Sequence, residues 1–211
     1  MVYVCAYLGL RWEEVSALRP PDLGLETTPA TVSIRGSLSR SDGRVQYRTY
    51  GKSAAACRTL KIPGFLRRAF DHQLATYSNL EWVFPAPNGG FLRYDNFRGR
   101  FWAPAVTAAG VSSSGNAFTF HQLRHTAAAF MIDDGGDPLH VMRRMGHSDI
   151  RTTYNLYGHK FPDREDELVS RLNARFDQRS RGSSPSTPEF QRDEFGFRSD
   201  FGKRSTGREA T

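Results

Sequence analysis

Three clusters hold the residues of this sequence best able to do chemistry. The first is Gly9-Leu10-Arg11-Trp12-Glu13-Glu14. On a helical wheel Arg11 falls between Val15 and Leu18, on the apolar side, where an unpaired guanidinium is costly. Glu14, three residues on, can pair with it or orient it. The second is His121-Gln122-Leu123-Arg124-His125-Thr126. His121 and Arg124 share a helix face, and Arg124 falls between Ala128 and Met131, again on the apolar side. The third is Gly146-His147-Ser148-Asp149-Ile150, followed by Tyr154, Tyr157 and His159. Gly146 closes one helix, Ser148 or Asp149 caps the next, and His147 lies in the joint. Two readings of the arginines are open. They are separate ion pairs at the core edge, or one buried anion lies between them. A phosphate suits the second reading, because a guanidinium grips it with two hydrogen bonds. No metal is expected: His121 and His125 stand four apart, but the Glu of a zinc-binding H-E-x-x-H is absent, and no carboxylate cluster suits Mg²⁺.

The elements that must position these residues read as α+β, mainly helical, with a small three-stranded antiparallel sheet. Residues 1–19 carry a helical pattern, with Leu8, Trp12, Val15 and Leu18 on one side, ended by Pro20 and Pro21. Residues 31–40, 44–50 and 58–63 read as strands, with Ser41, Asp42 and Gly43 turning between the first two. Residues 63–77 read as a helix with Pro63 at its start. A short strand is expected at 82–84. Helices are expected at 94–109, 121–134, 138–145, 150–156 and 163–176. From Arg179 to Thr211 there is no Leu, Ile or Val. Such a segment cannot bury enough apolar surface to offset its ordering entropy, so a disordered tail over 179–211 is expected after a domain over 1–178.

The chain has 211 residues, and 29 Lys+Arg against 22 Asp+Glu give a net charge of +7. That balance points to a polyanionic partner. Only Lys52, Lys61, Lys160 and Lys203 are lysines; the rest are arginines, which suit phosphate, although a GC-rich genome produces the same bias. Cys5 and Cys57 are isolated, so neither a disulfide framework nor a zinc scaffold is expected. No apolar run approaches the roughly 20 residues of a membrane span. A cytoplasmic chain with no membrane association is expected.

Taken in order, G-L-R-W-E-E around Arg11, H-x-L-R-H-T from His121, G-H-S-D-I from Gly146, and T-T-Y-N-L-Y-G-H ending at His159 resemble the motifs of the tyrosine recombinase (phage integrase) family. The resemblance runs from about residue 8 to about residue 168 and covers the catalytic domain. The ending over 157–164 is most similar to integrases of actinobacterial phages. The resemblance implies that Arg11 and Arg124 clamp a scissile phosphate, that His121 hydrogen-bonds it, and that His147 assists the nucleophile. It implies Tyr157 as that nucleophile, two residues before His159, in preference to Tyr154. It implies Glu14 as a support for Arg11. It also implies a lysine that protonates the leaving 5′-hydroxyl. Lys52, in a stretch resembling K-x-x-x-x-x-R-T ending on Arg58 and Thr59, is the first choice and Lys61 the second. The activity implied is site-specific recombination of double-stranded DNA through a 3′-phosphotyrosyl intermediate, with no cofactor. The working form implied is a homo-oligomer, a tetramer on DNA that exchanges C-terminal segments. Two other readings stand beside it: DNA relaxation like that of a type IB topoisomerase, and a truncated prophage remnant that only binds DNA or partner recombinases. The family's N-terminal helix and core-binding domain have no match before Arg11, so a catalytic domain without them is expected.

Overall fold

The chain opens on two short helices where the periodicity suggested one. Helix α1 (Val2–Leu8) ends at Gly9, whose φ of 70° lies in the left-handed region and whose N–H returns to the Cys5 carbonyl at 3.0 Å. Glycine terminates helices this way because it has no Cβ to clash. After Leu10, Arg11 sits in extended conformation as the N-cap of α2 (Trp12–Val15). Arg11 is therefore not on an apolar helix face. It stands at a helix start, and its backbone N–H donates to the Glu14 carboxylate at 2.9 Å. This is a computed structural model, and it describes residues 1–41, 44–51, 56–77, 80–111 and 118–182, with side chains to residue 178.

A 3₁₀ turn over Pro20–Asp22 leads to five antiparallel strands: β1 (Leu23–Gly24), β2 (Thr31–Ile34), β3 (Gly36–Ser41), β4 (Arg44–Thr49) and β5 (Arg58–Lys61). They form a three-stranded sheet in the order β1-β2-β5 and a two-stranded ribbon β3-β4. The strand expected over 31–40 is divided at Arg35, whose carbonyl accepts the Tyr50 N–H at 2.7 Å. Register shows why: Ile34 pairs with Arg58 while Gly36 pairs with Thr49, so Arg35 marks the point where the partner changes from β5 to β4. The third strand of the sheet is β1, which sequence reading did not anticipate. The expected turn at Asp42 and Gly43 lies outside the described residues.

Helix α3 (Gly64–Thr76) starts after Pro63 as expected and buries Leu66 and Phe70. Residues 82–84 are not a strand; they are buried in a bent segment held by the Val83 N–H on the Leu18 carbonyl at 2.8 Å. The helix expected over 94–109 is interrupted. It comprises α4 (Tyr94–Phe97), a π turn over Arg98–Trp102, and α5 (Ala103–Ala108). Pro104 offers no N–H and its ring crowds the carbonyl one turn earlier; a π turn relieves that crowding. Helices α6 (Gln122–Asp133), α7 (Pro138–Met145) and α8 (Ile150–Tyr157) follow closely where periodicity put them. Asp137 caps α7 and Asp149, rather than Ser148, caps α8.

Residues 1–162 form one compact unit. Its main core joins Leu8, Leu10, Val15 and Leu18 to Val32, Ile34, Leu60, Leu66 and Phe70; a smaller one joins Ala128, Ile132, Val141, Met145 and Tyr157. Helix α9 (Glu165–Gly182) belongs to a second unit beginning at Asp163 and continues past residue 179, where the tail was expected to start. Residues 183–211 of that tail lie outside the described residues. No described helix is long and apolar enough to cross a membrane.

The turn at Gly9 yields a test. A Cβ there would stand 2.6 Å from the buried Met145 sulfur, whereas Gly110, also at positive φ, has nothing within 4 Å. Gly110→Ala should cost about 1–2 kcal/mol of backbone strain. Gly9→Ala should cost clearly more, because strain and a core clash add. Urea midpoints of the two variants check this, and equal losses would refute the packing argument.

Candidate active site

Four segments converge: the turn Gly9–Arg11, the start of α6, the start of β5, and the joint between α7 and α8. Arg124 is buried at the centre of this convergence, at 3 % exposure. Its Nη1 donates to the Gly9 carbonyl and its Nη2 to the Met145 carbonyl. Both acceptors lie at helix C-termini, where unpaired carbonyls concentrate negative potential. Arg11 reaches the same joint one residue later, donating from Nη2 to the Gly146 carbonyl at 3.4 Å. Successive carbonyls thus bring together two arginines that are 113 positions apart in sequence (124 − 11). Burial, and after it the neighbouring Arg11 charge, bring the Arg124 pKa down to about 10. The guanidinium remains protonated at neutral pH.

Glu14 organises the positive side. Its carboxylate is fully buried and accepts from Arg11 Nη1 at 3.1 Å. Its stronger partner is Arg58 at the start of β5, which grips both carboxylate oxygens at 2.9 Å each. Arg58 also donates from Nε to the Arg144 carbonyl at 2.7 Å and from Nη1 to the Ala56 carbonyl at 2.9 Å. Burial alone pushes the Glu14 carboxyl upward, but the hydrogen bonds and charge of Arg58, followed by those of Arg11, outweigh it and hold the pKa low. Gly146 is required beside this pair, since a Cβ there would stand 2.6 Å from Arg58 Nη1. Three guanidiniums against one carboxylate leave a local surplus of two positive charges, the condition for holding an anion.

His147 is buried in the joint, its Nδ1 sharing a hydrogen bond of 2.9 Å with Thr153 Oγ1 on α8. Burial, then Arg124, Arg11 and Arg58, bring its pKa down to about 4, so the ring is neutral at pH 7. His121 is the exposed N-cap of α6, its pKa lowered by burial, then by His125, Arg124 and Arg11. Trp12, Glu13, Tyr94 and Phe120 line the hollow beside it. Tyr157 is 3 % exposed, and its hydroxyl shares a hydrogen bond of 2.8 Å with His125 Nδ1. Tyr154 is 51 % exposed, its ring against Phe161. Burial pushes the Tyr157 pKa up, and the charge of Arg124 opposes that push.

Lys52 lies outside the described residues. Lys61 is exposed on β5, and its carbonyl accepts from Arg144 Nη2 at 3.4 Å. Among the described residues no group of three or more His, Cys, Asp or Glu side chains could hold a metal ion. Three participants were missed from sequence. Arg58 served only as a spacing marker, and its pairing with Glu14 spans 44 residues. His125 carried a usable signal, being one helical turn from His121. Thr153 carried none.

The sequence profile of the phage integrase family matches residues 1–164. The prophage integrase IntR of Escherichia coli K12 is 34 % identical over 195 residues, covering 80 % of this chain and 44 % of the relative. The tyrosine recombinase XerD of Brucella abortus is 34 % identical over 90 residues, covering 42 % of this chain and 28 % of the relative. The chain thus spans less than half the length of these curated relatives. Among solved structures, the Tn1549 transposon integrase in complex with a circular-intermediate DNA superposes with a TM-score of 0.65 at 20 % identity, covering 82 % of this chain and 57 % of that one. The XerA recombinase gives 0.57 at 19 % identity, covering 82 % and 54 %.

Two measurements follow from this geometry. Glu14→Leu leaves Arg58 buried without its carboxylate and should cost about 3–5 kcal/mol. The double variant Glu14→Leu/Arg58→Met should recover much of that loss in urea unfolding. A double variant no more stable than Glu14→Leu would contradict the pairing. His147 sets a pH window. Its folded pKa of about 4 lies below the ordinary ~6.5, so the unfolded chain takes up its proton first. Its contribution to stability is present above ~6.5 and lost as pH falls toward about 4. Between these limits His147→Gln should lose less stability than the parent chain.

Proposed function

The chain belongs to the phage integrase family, and on that premise we propose that it carries the catalytic site of a site-specific DNA recombinase. The reaction cuts and rejoins double-stranded DNA through a 3′-phosphotyrosyl link to Tyr157. The observation that carries this reading is the meeting of Arg11 and Arg124 over the successive carbonyls of Met145 and Gly146.

Arg11 and Arg124 hold the scissile phosphate, and His121 donates to the same group. A phosphodiester gains negative charge in the pentavalent transition state, and fixed guanidiniums stabilise it where it develops. Glu14 and Arg58 set the position of Arg11. His147, neutral and anchored through Nδ1 on Thr153, turns Nε2 toward the phosphate and assists the attack. Tyr157 forms a bond to phosphorus, the bond to the 5′ oxygen breaks, and Lys52 protonates the departing oxygen. The phosphotyrosine conserves the energy of the broken bond, so rejoining requires no ATP.

The partner is double-stranded DNA, and the working form is a homo-oligomer on it. Leu168, Leu172 and Phe176 recur every four residues on α9 and give that helix one apolar stripe suited to a second copy. Such work places the chain in the cytoplasm with the DNA.

A pool of nicked suicide duplexes, which trap the covalent intermediate, tests the assignment. Tyr157→Phe should abolish the protein–DNA adduct and Tyr154→Phe should retain it; an adduct lost only in Tyr154→Phe would overturn the choice of nucleophile. In the same assay Lys52→Ala should slow cleavage by roughly 10²–10⁴, with a 5′-thiol leaving group restoring it because a thiolate departs without an acid. Lys61→Ala should cleave normally.

A further inference from the structure

We propose that His125 is a catalytic residue of this site, the base that holds Tyr157 Oη through Nδ1 and takes its proton during attack. The proposal rests on the reading of Tyr157 as nucleophile and adds the group that activates it.

The geometry is specific. His125 follows Arg124 directly in sequence, yet the two side chains serve different partners. Arg124 turns to the carbonyls of Gly9 and Met145, and His125 turns to the tyrosine on α8. The contact is 2.8 Å, with ring centroids 5.8 Å apart. His121, the N-cap of α6 and four residues earlier, packs edge-on against His125 with centroids 5.3 Å apart. The residue proposed to touch the phosphate and the residue touching the nucleophile are therefore neighbours on one helix face.

Chemical need points the same way. A phenol ionises near pH 10, and the burial of Tyr157 raises that further. At 3 % exposure its hydroxyl has little access to bulk water as a proton acceptor. The histidine implied by resemblance to assist, His147, has Nδ1 engaged by Thr153. Among the described residues, the hydrogen-bond partner of Tyr157 Oη is His125 Nδ1.

The proton balance closes. Neutral His125 in the Nε2–H tautomer presents an Nδ1 lone pair to the phenol O–H. On attack the Oη–phosphorus bond forms and the phenolic proton passes to Nδ1, leaving an imidazolium. The phosphorus–O5′ bond breaks, and its electron pair leaves on the 5′ oxygen, which takes a proton from the lysine acid. In rejoining, the 5′-hydroxyl attacks phosphorus and gives its proton back to that lysine. The Oη–phosphorus bond then breaks, and His125 returns its proton to the tyrosinate.

Single-turnover adduct formation on the suicide duplexes tests this with the full 211-residue chain. His125→Ala and His125→Asn should slow the step by roughly 10²–10⁴; the asparagine can accept a hydrogen bond but cannot carry the proton. A fluorinated tyrosine at position 157, with its more acidic phenol, should restore much of the rate to both variants. A 5′-thiol leaving group should not, although it restores Lys52→Ala. Rates within about threefold of the parent chain, or rescue by the thiol instead of the fluorotyrosine, would overturn the proposal. An adduct that survives Tyr157→Phe sinks the choice of nucleophile instead. Nitrogen NMR of the DNA-free chain gives a measurement independent of cleavage. The His125 Nδ1 resonance should shift in Tyr157→Phe, and an unmoved resonance rejects the contact.

Discussion

The buried carboxylate of Glu14 is the constraint on which the rest of the site depends. A charge taken out of water needs close and complete pairing, and Arg58 supplies it with two hydrogen bonds of 2.9 Å. The same guanidinium reaches the Arg144 carbonyl near the end of α7, and Glu14 also holds both the backbone and the side chain of Arg11. One ion pair therefore ties the start of α2, the start of β5 and the end of α7. Those are three of the segments that make the site, and none is adjacent to another in sequence. Removing Glu14 leaves Arg58 as an uncompensated buried charge, and removing Arg58 leaves Glu14 with Arg11 alone, so the geometry of the site and the stability of the fold rest on the same atoms.

The surplus of positive charge has the opposite effect. The charge of Arg11 adds to burial in lowering the Arg124 pKa, and Arg124 spends its hydrogen bonds on carbonyls at two helix ends. Helix-end carbonyls carry only partial charge, so they orient the guanidinium without neutralising it. The surplus positive charge of Arg11, Arg58 and Arg124 over Glu14 is what the proposed phosphate would neutralise. Stability given up at a site built for a ligand is recovered when the ligand binds. His147 fits this logic. It sits in the same positive field, which keeps its ring neutral, so it adds hydrogen-bonding capacity without adding charge.

These parts are not equally legible in the sequence, and the reason is the range over which each is determined. Helices α6, α7 and α8 are set by local periodicity and caps, and their limits were readable within a residue or two. The burial of Arg124 followed from its place on the apolar face of α6. The break at Gly9 was not readable, because Leu8, Trp12, Val15 and Leu18 continue the helical spacing across it. What stops the helix is close packing of Gly9 on Met145, a contact 136 residues away (145 − 9). The interruption of the helix over 94–109 was carried by Pro104 but overridden by the strong pattern around it. Arg58 lay in view as part of a motif, yet nothing local says that it faces Glu14. The change of partner at Arg35, from β5 to β4, comes from a strand register that only the folded chain defines.

The two tyrosines show how a helix face separates equals. Thr153 and Tyr157 are four residues apart, so they share a face of α8, and that face meets the rest of the unit. Thr153 is fixed by His147 and Tyr157 by His125, two histidines from different elements. Between and around these contacts, Ala128, Ile132, Val141 and Met145 close an apolar floor. Tyr154 lies one residue from Thr153 and therefore about 100° around the helix, where it is exposed. The same side chain on the same helix is thus a surface aromatic at one position and an enclosed phenol beside a base at the other. That enclosure makes the phenol harder to ionise and supplies the means of ionising it, since the packing that shuts out water also holds Oη against an imidazole.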